Sequence, residues 1–194
     1  KVPVQVKGRK VETIENLNLK KIKFRVKKDD VKKYLTDGGV IYFVVCMDEK
    51  KEEIFYNSLL PLDLARLIKR YKNQNSFEIE FKPLPKTDVK LADIFVDFIK
   101  NRQKQQGTLI PDILCFEDFK KIENEIKEIK FSYSTVDFKR TIPFRELTTR
   151  DLYLYAKPKG VGNPIPFERV SNAIINLQSK FTISIGGKTY YKNA

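Results

Sequence analysis

Apolar and polar residues alternate strictly from Lys21 to Lys27: Ile22, Phe24 and Val26 fall on one face, Lys21, Lys23, Arg25 and Lys27 on the other. That two-residue period predicts a strand. The opening segment has the same form, with Val2, Val4 and Val6 on one face and Gln5 and Lys7 together on the other. Val40 to Cys46 is apolar on both faces, the pattern of a strand in the middle of a sheet. The charged turn Asp48 to Lys51 leads from it into a hairpin partner at Glu53 to Tyr56. Phe77, Ile79 and Phe81 alternate with Glu78 and Glu80 as one more strand. Between these segments the period changes to that of helices. Asp29-Asp30 can cap a short helix running to about Leu35, which Asp37-Gly38-Gly39 ends. Pro61 suits a first helical position, and Leu62, Leu64, Ala65, Leu67, Ile68 and Tyr71 make the stripe of a helix ending near Asn73. Pro83-Leu84-Pro85 is a stiff connector into a helix from about Asp88 to Gln106, with Leu91, Ile94, Phe95, Phe98 and Ile99 as its core face. Its basic end, Lys100 to Gln106, reads as a solvated terminus, with a contact to nucleic acid as the other reading.

From Gly107 the pattern is less regular. Phe119, Ile122, Ile126 and Ile129 stand at helical spacing and predict a helix from about Phe116 to Lys130. Strands are expected around 136–144 and 152–157, and a helix from about Phe167 to Leu177. Phe181 to Ile185 and Lys188 to Tyr191 read as a hairpin, because Gly186-Gly187 suits a two-residue turn. The glycines of Lys157 to Pro164 are not followed by Lys-Ser/Thr, so a phosphate-binding loop is not supported. The expected organisation is therefore α/β of the mixed α+β kind, with one part over residues 1–106 and a smaller α+β part over 107–194 that recognises a partner or dimerises.

Composition narrows the chemistry. The chain has 194 residues, 41% hydrophobic and 32% charged, which is globular. No apolar run approaches the ~18 residues of a membrane span. Histidine is absent, which excludes Ser-His and Cys-His nucleophile systems and His-ligated zinc within this chain. Carboxylate, lysine and tyrosine chemistry remains. Cys46 and Cys115 both lie in apolar surroundings, without metal-ligand spacing, and read as buried thiols suited to a reducing, cytoplasmic setting.

The net charge of +13 is uneven: residues 1–33 hold 12 Lys or Arg against 4 acidic residues. Such a basic concentration predicts a polyanionic partner, nucleic acid above all, drawn in by counterion release. Arg9, Lys10, Lys21, Lys23, Arg25 and Lys27 are the candidate contacts. The four cations of the second strand, about 7 Å apart, approximate a phosphate spacing; protection of a sheet edge explains them as well. Gln5 and Lys7 are the candidate reactive pair. An amide oxygen can ligand or orient a hydrated divalent cation, and an ammonium two residues on can hold a water or stabilise charge on a phosphate.

The residues from Val2 to Gly8 (VPVQVKG), Lys20 to Lys27, Val40 to Met47 and Ile54-Phe55-Tyr56 resemble the PD-(D/E)xK nuclease superfamily. Within it they are similar to an uncharacterised nuclease-like family in which a VQVKG strand precedes an F-x-V/L-K strand, a short helix, a VIYFVV-x-MD strand and an IFYNSL strand. The resemblance spans roughly residues 1–106. It implies a restriction-endonuclease-like central mixed sheet flanked by helices, and Mg²⁺-dependent hydrolysis of DNA phosphodiesters. Gln5 then takes the place of the motif's acid and Lys7 that of its lysine. The metal would be held by the Gln5 side chain and the Val6 carbonyl, together with an aspartate from a strand preceding Lys1. No such strand is present, so the chain is expected to be a fragment cut inside a catalytic core. Glu12 and Glu15 are the local carboxylates that would compensate for the neutral Gln5. The alternative is a non-catalytic module of the same fold that binds nucleic acid or a partner protein.

Overall fold

The alternating segments fold as strands and the longer-period segments of the first part fold as helices. The structure is a computed structural model that describes residues 1–106, 123–132, 151–160, 163–170, 174–176, 182–185 and 188–192. These residues fall into two compact units, the first within 1–106 and the second within 123–192.

The first unit runs β1 (Val4–Lys10), β2 (Ile22–Lys27), α1 (Lys28–Thr36), β3 (Val40–Met47), β4 (Glu52–Leu59), α2 (Pro61–Arg70), β5 (Ser76–Pro83) and α3 (Asp88–Gln106). Its five strands form one mixed sheet in the order β1-β3-β4-β5-β2. β1 is parallel to β3, and the other neighbours are antiparallel. β3 is interior and nearly all buried, as a strand apolar on both faces requires. β1 and β2 are the two edges, yet the sheet curls until they approach each other: an Arg9 Nη1 donates to the Lys23 carbonyl at 3.3 Å. The curl is possible because β4 and β5 pair over only two residue pairs, Phe55 with Pro83 and Tyr56 with Lys82. Where that ladder parts, the Asn57 amide donates to the Glu80 carbonyl at 2.8 Å.

Inside the curl, Ile22 and Val26 of β2 share one core with Tyr42, Val44 and Cys46 of β3, Phe55 and Leu59 of β4, and Phe77, Ile79 and Phe81 of β5. Phe24, Tyr42 and Phe81 meet edge to face or tilted, with ring centroids 5.3 to 6.2 Å apart. Val31 of α1 and Leu64 of α2 belong to the same core, with Tyr34, Leu35, Leu67 and Ile68 packed against it. α1 ends as its sequence asks. Gly38 (φ +80°) donates to the Leu35 carbonyl and Gly39 to that of Tyr34, a Schellman motif that only a residue tolerant of positive φ closes cheaply. Asp29 and Asp30 are in the first turn of α1 rather than at its cap, which is Lys27, so they act on the helix dipole and not as capping acceptors. Pro61 opens α2, and the Asp63 carboxylate accepts from the Leu60 N–H at 3.1 Å.

The basic end of α3 is only partly a solvated terminus: Gln103 and Lys104 are exposed, but Asn101 and Gln105 are buried. The Arg102 guanidinium donates to the carbonyls of Gly38 (3.1 Å), Lys1 (3.1 Å) and Asp37 (2.7 Å), tying α3 to the α1–β3 turn and to the start of the chain. Gln105 is buried, and its amide oxygen accepts from the Leu62 N–H at 3.0 Å, capping α2 from outside that helix. Of the expected core face of α3, Phe98 is buried but Ile99 is 39% exposed.

The second unit contains β6 (Ile126–Ser132), β7 (Leu152–Pro158), β8 (Ile165–Val170), β9 (Ile174–Asn176), β10 (Thr182–Ile185) and β11 (Lys188–Lys192). β6-β7-β8 and β9-β10-β11 are two antiparallel three-stranded sheets. Of the helix expected over 116–130, the described residues form one 3-10 turn, Glu123–Glu125, followed by β6, and the described residues of the helix expected over 167–177 are strand. Ile126 and Ile129 stand three apart because the β6–β7 register shifts between Ile126 and Glu128. A bulge of this kind adds one residue to the two-residue period and imitates a helical one. The β7–β8 pairing contains a similar shift, between Leu154 and Tyr155. The expected hairpin is present, Ile185 pairing with Lys188. Cys115, Phe119, Ile122 and the strand expected over 136–144 lie outside the described residues.

Candidate functional site

In a parallel pair, residues in register point to the same side of the sheet, so β3 reveals the aim of each β1 side chain. Gln5 is in register with Tyr42, Lys7 with Val44 and Arg9 with Cys46. Gln5, Lys7 and Arg9 therefore share the side on which β3 buries its core residues. Val4 and Val6 occupy the opposite side and are 49% and 53% exposed. The alternation is as expected, but the burial is the reverse of the usual one: the polar side of β1 turns toward the core and the valine side toward solvent.

Gln5 is half-buried, and both ends of its amide are held. Tyr34 Oη donates to Gln5 Oε1 at 3.1 Å, and Gln5 Nε2 donates to the Val6 carbonyl at 2.9 Å. The Tyr34 ring meets Tyr42 edge to face at 6.1 Å. Burial raises the pKa of the Tyr34 phenol, and the nearby Asp30 carboxylate adds to the rise. Burial pushes the Tyr42 phenol up to about 12, with smaller contributions from Tyr34 and Asp30. Both phenols therefore stay protonated at neutral pH and available as donors. Lys7 is exposed and makes no ion pair with any described residue.

Further along β1, Arg9 is in register with the buried Cys46 of β3. Burial raises the Cys46 thiol pKa and the guanidinium partly opposes that rise. Lys10 is in register with Met47, on the valine side of β1, and so points away from Gln5, Lys7 and Arg9.

The four cations from Lys21 to Lys27 are not a bare row. Across the β2–β5 ladder Lys23 faces Glu80 and Arg25 faces Glu78, while Lys27 faces Ser76. Lys21 Nζ is 2.9 Å from the Glu80 carboxylate. Two of the four positive charges are thus matched by carboxylates on the same two-stranded ribbon.

Glu12 and Glu15 are not beside Gln5. Val11 donates its N–H to the Met47 carbonyl, which puts Glu12 at the far end of β3. Glu15 pairs with Lys51 at 2.8 Å, in the β3–β4 turn. Gln5 is opposite Tyr42, five residues earlier on β3 and so about 16 Å away at the rise of a strand. The groups beside Gln5 are instead Tyr34, which donates to its amide oxygen, and Tyr42, in register with it; the charge of Asp30 acts on both phenols. The sequence does not single them out: Tyr42 falls within the apolar run of β3, Tyr34 within the short helix before it, and Asp30 reads as a helix cap. The i, i+4 spacing of Asp30 and Tyr34, which puts them on one face of α1, is the signal that links them.

Comparison with protein-family models, with curated proteins and with solved structures finds no match to the chain.

Proposed function

We propose that the chain is part of a Mg²⁺-dependent nuclease of the PD-(D/E)xK kind, acting on DNA phosphodiesters at the Gln5–Lys7 side of β1. The observation that carries this reading is that one amide and one exposed ammonium leave the strand on the same side, with the Val6 carbonyl beside the amide. The donor set suits a hard cation in one orientation of that amide. Turning the Gln5 amide by half a rotation exchanges Nε2 for Oε1 and puts two oxygens at the 2.9 Å now spanned by the hydrogen bond. Adjacent ligands of an octahedral Mg²⁺, each at 2.0–2.1 Å, are separated by about the same distance, ~2.9 Å. Bound Mg²⁺ supplies Lewis-acid polarisation of a phosphodiester and a more acidic water. Gln5 Oε1 and the Val6 carbonyl oxygen would hold it. Lys7, two residues on, would hold the attacking water or stabilise the charge that builds on the phosphate. Arg9 and the unmatched part of the β2 cations would draw in the polyanion.

The test is nicking of supercoiled plasmid in Mg²⁺ by the wild-type protein and by Lys7→Ala. A loss of about a hundredfold or more in the variant, with the fold intact by circular dichroism, is expected for a transition-state contact. Equal nicking in the two removes the role of Lys7 and with it the reading.

A further inference from the structure

We infer that Asp30 supplies the carboxylate of the divalent-cation site whose other protein oxygens are the Gln5 amide and the Val6 carbonyl, an inference that rests on the nuclease reading above. Two neutral oxygens alone leave the charge of a hard dication uncompensated, next to the ammonium of Lys7; carboxylates are what such ions take from proteins. The acids near in sequence are engaged or remote. Glu15 is paired with Lys51 at the other end of β3. Asp48 spends its oxygens on the N–H groups of Ile14, Lys50 and Lys51. Asp29 is 91% exposed and pairs with Lys32.

Asp30 differs from these in placement. It precedes Tyr34 by one helical turn on the same face of α1, with Cβ atoms about 5–6 Å apart in that relation. The Tyr34 hydroxyl in turn touches the Gln5 amide oxygen. Asp30 is half-buried where its neighbour Asp29 is open to solvent. Its negative charge also acts on both Tyr34 and Tyr42, the two phenols adjoining Gln5. A helix side chain thus brings the missing negative charge to β1 from a different element.

Tyr34 is the positioning residue in this arrangement. A phenol can donate or accept. It donates to Gln5 Oε1 in the orientation present here, and it can accept from Nε2 when the amide turns its oxygen toward the Val6 carbonyl. The hydroxyl therefore holds the amide in either orientation, which a phenylalanine cannot do.

The experiment is a Mn²⁺ titration of the whole chain followed by NMR, reading paramagnetic broadening at the Gln5 side-chain amide, the Val6 backbone and Asp30. Broadening centred on these three is expected in the wild type. Asp30→Asn should weaken Mn²⁺ binding at least about tenfold and Tyr34→Phe somewhat less, the range seen when a ligand or its orienting partner is lost. Asp30→Glu keeps the charge and should recover most of the affinity, which separates ligation from a fold defect. Asp29→Asn and Glu15→Gln should bind as the wild type does. Wild-type affinity in Asp30→Asn, with broadening still at Gln5, overturns the role of Asp30 and leaves the nuclease reading standing. Absence of broadening at Gln5 and Val6 in the wild type overturns both.

Discussion

Replacing Gln105 by methionine tests whether the end of α3 is a structural part of the first unit. Gln105 is 1% exposed, and its oxygen accepts the Leu62 N–H, one of the N-terminal donors of α2 that have no partner within the helix. Methionine preserves the length and most of the volume of the side chain, so little cavity is created. The acceptor is lost, which by itself leaves a buried N–H unsatisfied at a cost of about 1–3 kcal/mol. With a urea m-value of about 1–3 kcal/mol per molar, the midpoint should fall by on the order of 1 M at unchanged slope. Gln103, exposed two residues earlier, is the control, and methionine there should move stability by less than about 0.5 kcal/mol. Equilibrium urea denaturation followed by far-UV circular dichroism reads both variants. If Gln105→Met unfolds within about 0.5 kcal/mol of the wild type, the hydrogen bond is not what joins α3 to α2, and the argument from unsatisfied helix ends fails here.

Three further outcomes follow from the geometry. Gly39→Ala should cost about 2–4 kcal/mol, because φ is +108° and an added Cβ would be 2.8 Å from the Leu59 carbonyl oxygen; Gly38→Ala, at φ +80°, should cost only about 1–2, and a reversed order by chemical denaturation would contradict the close approach. Changing Lys21, Lys23, Arg25 and Lys27 together to glutamine should flatten the log–log salt dependence of DNA binding by no more than about two units, since Glu78 and Glu80 already match two of these charges; a change near four would restore the uninterrupted phosphate-tracking row. Asp48 accepts three backbone N–H groups, which hold its carboxyl below the usual range, so its stabilisation is present above its unfolded pKa and is lost as pH falls through the lower folded value, below about pH 4. The wild type should therefore lose stability more steeply on acidification in that window than Asp48→Asn does, as read from denaturation midpoints at successive pH values.

The periodic segments determined much of the first unit without help from tertiary contacts. The two-residue alternation of Ile22, Phe24 and Val26, the unbroken apolar run of β3 and the Pro61 opening of α2 all specify local backbone geometry, because side-chain direction repeats with the backbone period. The Gly-Gly hairpin between β10 and β11 is local in the same sense. In the second unit that logic was defeated by bulges, whose extra residue turns a strand's period of two into an apparent three. The pairing of Gln5 with Lys7 was legible too, being nothing more than i, i+2 on one strand.

What surrounds that pair was decided only by long-range contacts. Nothing in the residues from Val2 to Lys10 tells which side of β1 meets a core; that depends on β3 arriving in parallel register and on the sheet curling until Arg9 reaches β2. Nothing near Gln5 in the chain singles out Tyr34 over Glu12 and Glu15 as its neighbour, since proximity along the sequence is not proximity across a sheet. The charge of the β2 lysines could be counted from the sequence, but Glu78 and Glu80, more than fifty residues later, set how much of it is left for a partner. Local period yields the elements, and the packing of elements distant in the chain determines which side chains meet.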